Sequence, residues 1–132
     1  MIEAADAELV GWLSPVLDGA VVTFAPPAPR RDGAGLSVYL VELYDVPATR
    51  GLARQAQVGL RYLVTAWAET HELAHRLLGR ALAAAVDRPD VEVQVDPPGF
   101  ELWFSLGVKP QACFFIRVVA RQRAAPASAW RA

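Results

Sequence analysis

Between residues 56 and 86 the apolar period switches from two to 3.6, and this switch narrows the fold more than any other feature of the chain. Val58, Leu60, Tyr62, Val64 and Ala66 alternate with Gln57, Gly59, Arg61 and Thr65, the repeat of a half-buried strand over 56–67. In ETHELAHRLLGRALAAAV, at 69–86, Leu73, Ala74, Leu77, Leu78, Ala81, Leu82 and Ala85 form one broad stripe, which predicts an amphipathic helix. Glu72, Arg76 and Arg80 follow on its polar side in the favourable Glu-before-Arg order, predicting a Glu72–Arg76 pair.

The same patterns extend to both ends. Leu9, Leu13, Val16 and Leu17 share a helical face over 3–17. Pro15 should end that helix at Leu13 and restart a short turn capped by Ser14. AVVTF at 20–24 reads as a short strand, and Ala25–Gly35, with its prolines and glycines, as a loop. LSVYLVELYD at 36–45 is apolar on both alternating faces, which predicts a central strand covered on both sides. A turn around Pro47–Gly51 follows, and Asp87-Arg88-Pro89-Asp90 stops the second helix. VEVQV at 91–95 alternates as a strand. Phe100–Lys109, with Trp103, Phe104 and Leu106, is too apolar for an idle loop and should dock on the fold. In the last strand, 111–120, Phe114, Ile116, Val118 and Ala120 point inward, while Cys113, Phe115, Arg117 and Val119 form a second packing surface. The order α-β-β-β-α-β-β predicts an α+β fold: a single domain over 1–120, with a mainly antiparallel sheet and two main helices packed on one face. Residues 121–132 form an Ala-rich tail, which such composition leaves poorly ordered unless a neighbour holds it.

At 132 residues and 54% hydrophobic composition, the chain is long and apolar enough for a core of its own. No apolar run reaches the roughly 20 residues of a membrane span, and the acidic start, Glu3, Asp6, Glu8 and Asp18, is unlike a signal peptide. A soluble, cytoplasmic protein is expected. A net charge of −1 gives no basis for nucleic-acid binding. Cys113 is the single cysteine and, within QACFFIRVV, reads as a small buried hydrophobe. Charge is nonetheless polarised. Residues 1–29 hold four acids and no bases, whereas 109–132 hold Lys109, Arg117, Arg121, Arg123 and Arg131 and no acids. Either the two ends compensate within one fold, or they meet head to tail between copies, a contact that closes rings.

One motif suggests chemistry. His71-Glu72-Leu73-Ala74-His75 matches HExxH, in which two histidines one helical turn apart share zinc and the glutamate activates water. The extended pattern fails, because position 78 is Leu and position 81 is Ala, leaving only Glu92 or Glu101 as a distant third ligand. Both histidines also fall at the edge of the apolar stripe. An ordinary polar helix face accounts for them, so no metal or other cofactor is expected; a zinc peptidase is the alternative. Ser14, Ser37, Ser105 and Ser128 lack GxSxG context, and no GxGxxG or Walker A sequence is present. No small-molecule substrate is indicated.

Residues 58–91 carry a resemblance. Leu60, Tyr62, Leu63, Val64, Thr65, Ala66 and Trp67, followed by His75, Arg76, Leu77, Leu78 and Gly79, resemble the signatures of the N-terminal domain family of cap, or tail-terminator, proteins of extracellular contractile injection systems. VVTFAPP at 21–27, VYLVELYDV at 38–46 and LWFSLGVKP at 102–110 add weaker echoes. The resemblance implies a structural, non-enzymatic role: a ring of copies, six-fold in this family, that seats on the end of the tube and sheath of a phage-tail-like particle and stops their polymerisation. A sheath built by strand exchange leaves unpaired strands in its last layer, which a cap with a free sheet edge can receive. In that role Arg117, Arg121, Arg123 and Trp130 are the expected contacts with a neighbour. A generic protein-binding adaptor is the remaining alternative.

Overall fold

The computed structural model describes residues 1–47 and 56–122. Helix α1 (Ile2–Leu13) runs into a 3-10 turn at Ser14–Val16, where Pro15 ends the regular helix. Leu13, not Ser14 as expected, stands at the cap position of that turn. Strands β1 (Val21–Thr23), β2 (Gly35–Asp45) and β3 (Ala56–Trp67) follow, then helix α2 (His71–Val86), β4 (Glu92–Gln94), helix α3 (Phe100–Leu106) and β5 (Phe114–Gln122). The fold is α+β: one five-stranded sheet of order β1-β2-β3-β5-β4, antiparallel except for the β1–β2 pair.

Helix α2 begins where its sequence provides a cap. Thr70 is extended, and its hydroxyl accepts the Leu73 N–H at 3.1 Å. Helices α1 and α2 cover one sheet face. Leu9, Leu13, Leu77, Ala81 and Ala85 close over Leu36, Val38, Leu60, Tyr62, Val64, Phe114 and Ile116. Tyr62, wholly buried, donates its hydroxyl proton to Asp6 Oδ1 at 2.6 Å, tying α1 to the middle of the sheet. Arg80 pairs with Asp18; no Glu72–Arg76 ion pair forms among the described residues.

The second face corrects two expectations. β3, not β2, is the middle strand, and it is buried on both sides, since Leu63 and Thr65 are as covered as Tyr62 and Val64. At Leu63 the cover is α3, which docks Trp103 onto Leu63 and Phe115 in a separate small cluster. β2 is fully covered only over Gly35–Val38; beyond that, Glu42 and Leu43 are exposed. At Gly35 the chains approach too closely for a side chain, because a Cβ there would lie 2.4 Å from the Val21 carbonyl oxygen and 2.5 Å from the Trp67 ring. Phe104, expected to dock with its segment, instead points outward with Phe100.

Candidate functional site

The histidine pair lies on the helix-covered side. His71 and His75 are exposed on the first two turns of α2, their ring centroids 6.4 Å apart, and line an open cleft with Trp67, Leu78 and Lys109. Among the described residues no third His, Cys, Asp or Glu joins them. Glu92 is held by Arg117 on the opposite sheet face, and Glu101 lies on α3, the helix of that face. The donor set does not fit catalytic zinc, which takes three protein ligands. Replacing both histidines by alanine should change the unfolding free energy by no more than about 0.5 kcal/mol, as at other surface positions, and denaturant titration checks this. Cys113 is half-buried, and burial pushes its thiol pKa up, away from the thiolate that reactivity needs.

The polar half of the second face is more organised. Cross-strand registers align Glu42 with Arg61, Arg61 with Arg117, and Arg117 with Glu92, so four strands contribute one row of charged groups, two arginines between two glutamates. Two arginines directly opposite each other would repel. Flanking groups offset this: Arg61 donates to Gln94 Oε1 at 3.0 Å and lies 3.7 Å over the Phe115 ring, while Arg117 meets Glu92 at 3.5 Å and lies 3.9 Å over Tyr44. Tyr44 can lie flat because its partner is Gly59, where a Cβ would fall 2.0 Å from the ring. Arg117 is therefore partnered within its own fold. Arg121, the second arginine expected at an interface, is exposed near the end of β5. Arg123 and Trp130 lie outside the described residues.

A feature that the sequence reading missed is the mismatch of strand lengths. β1 pairs with β2 only over Gly35–Ser37, and β4 pairs with β5 only over Phe115–Arg117. The rest of each outer strand, to Asp45 in β2 and to Gln122 in β5, has no further neighbour among the described residues. Among the described residues the sheet narrows at that end to β2-β3-β5, with two open edges. The Val91 N–H turns back to the Arg88 carbonyl, which ends the β4 ladder before Val118. Beside the open part of β5 is a cleft of about 310 Å³ lined by Ala5, Glu8, Leu9, Trp12, Asp90, Val91, Val118, Val119 and Arg121. No ion pair among the described residues joins the acids of 1–29 to the bases of 109–122. No described helix is long and apolar enough to cross a membrane.

Neither a protein-family model nor a curated protein matches the chain. A solved structure does: the PVC sheath/tube terminator of an extracellular contractile injection system, determined by cryo-EM in the extended state, aligns with 100% of this chain at a TM-score of 0.69 and 19% identity. This chain spans 62% of the length of that protein. The resemblance carried by residues 58–91 thus extends to the whole three-dimensional arrangement, and the chain has the fold of a contractile-injection-system sheath/tube terminator.

Proposed function

We propose that this protein is a structural cap that ends tube and sheath polymerisation in a contractile, phage-tail-like particle. The observation that carries the reading is the match of the whole chain to the fold of a sheath/tube terminator. The open edges of β2 and β5 suit that role, since unpaired strand edges receive strands from other chains. Capping requires binding alone. The working unit is a ring of identical copies, six in the reading that the resemblance supports, assembled in the cytoplasm. Arg121, with Arg123, Trp130 and the partly exposed Arg117, supplies contacts to neighbours.

Particles produced with and without the chain test this. With it, electron microscopy should show tubes and sheaths of uniform length carrying the chain at one end. Without it, lengths should become heterogeneous. Uniform particles in its absence, or purified particles that never contain it, would refute the role.

A further inference from the structure

Both open edges lie at the same end of the sheet, on opposite sides. β2 and β5 are each antiparallel to β3, so they run in the same direction, and Leu43, Leu60 and Val118 occupy one row across the three strands. The two edges differ in charge. Beyond its last pair with β1, β2 carries Glu42 and Asp45 and no base; beyond its last pair with β4, described β5 carries Arg121 and no acid. Each also exposes an apolar side chain: Leu43 is 54% and Val119 41% exposed. Leu43 shares the helix-covered face with its row partner Leu60, the face on which Leu9 and Trp12 of α1 wall the cleft beside Val118. One edge thus presents an apolar knob and acids; the other presents Arg121 on its strand and a cleft in which Leu9, Trp12 and Val118 stand with Glu8 and Asp90.

We propose that these edges join to each other between copies: Glu42–Asp45 of one protomer adds in parallel to the open part of β5, Val118–Gln122, of the next, with Leu43 on the same face as Val118 and Ala120, where it enters the neighbour's cleft between α1 and β5. A rotation about an axis along the strands preserves strand direction, so a cyclic assembly gives a parallel pair. Because the two surfaces are different and complementary, the contact is head to tail and closes when the rotations sum to a full turn. The bulge at Val41 immediately precedes the joining segment, and bulges bend and twist a strand as ring closure requires. The contact also uses edges that, left exposed with apolar side chains, would invite uncontrolled pairing. It rests on the ring reading above and specifies the surface that reading leaves open.

Cysteine pairing locates the contact. In a Cys113→Ser background, the Leu43→Cys/Val118→Cys double variant should oxidise to a ladder of linked species ending in a closed ring. A mixture of the two single variants should give dimers only. Leu43→Asp, at an exposed position, should weaken self-association at least about tenfold with an unchanged circular dichroism spectrum, the loss expected for a central apolar anchor. The assays apply to the free chain and to assembled particles. A ring by native mass that neither links nor responds to Leu43→Asp would overturn the contact while leaving the cap reading intact. Links formed only to a sheath or tube protein would also overturn it. A chain that is monomeric in solution and absent from particles would remove the cap reading as well.

Discussion

Trp103→Ala should cost about 3–5 kcal/mol, the range for truncating a buried aromatic, and the loss should be concentrated in one element. Trp103 is 4% exposed and shares its cluster with only two other fully buried residues, Leu63 and Phe115. Helix α3 has seven residues, too few to be stable alone, so docking holds it in place. Removing the indole therefore removes most of what keeps the helix on the sheet. Amides of α3 should lose hydrogen-exchange protection first, while those of α2 remain protected, because α2 packs against the separate, larger core on the other face. Leu63 and Phe115 then become accessible to a hydrophobic dye. A loss below about 1 kcal/mol, with α3 still protected, would show that Leu102, Leu106 and Val108 hold the helix without the indole.

This division between a strong and a weak face explains how much could be read in the sequence. Elements whose burial follows a local period were legible: the stripe of α2 and the alternation of β3 gave boundaries within two residues of those observed. The second face of the sheet was less so. Leu63 and Thr65 look like the outer positions of a half-buried strand, and only the later arrival of FELWFSL explains the burial of Leu63. Phe100 and Phe104 stay exposed for a related reason, since a seven-residue helix pressed down by Trp103 can bury only one side. The open edges were not legible at all. They depend on where β1 and β4 stop pairing, which reflects three-dimensional register more than the composition of β2 or β5. One signal was present in the lengths, because a five-residue run at 20–24 cannot cover a ten-residue neighbour at 36–45.

Charge shows the same limit. The acidic start and basic end of the chain are plain in the sequence, but which acid meets which base is settled by topology. Asp18 goes to Arg80 and Arg117 to Glu92, so among the described residues the polarity of the two ends is not consumed by ion pairs between them. HExxH illustrates the converse case, a motif complete as a string whose ligand set is incomplete in space, because the sheet separates Glu92 and Glu101 from the histidine-bearing helix.

Tyr62→Phe should lower stability by about 1.5–3 kcal/mol at neutral pH, although it removes a single oxygen from the core. The hydroxyl is the donor to Asp6, a partly buried carboxylate, and phenylalanine leaves that acceptor without its partner while filling almost the same volume. Asp6→Asn on its own removes the charge from the same bond. If the two residues act through each other, the double variant should cost clearly less than the sum of the singles. The pH dependence gives an independent reading. Burial first, and then the hydrogen bond and negative charge of Asp6, hold the Tyr62 phenol above its ordinary pKa near 10. An unfolded chain therefore releases this proton at lower pH than the folded one. The contribution is complete below about pH 10 and declines as pH rises further, by up to about 1.4 kcal/mol per pH unit. Urea titrations of the wild type between neutral pH and pH 11 should show that decline, and Tyr62→Phe should show less of it. Parallel profiles for the two proteins would mean that the phenol is no harder to ionise in the fold than out of it.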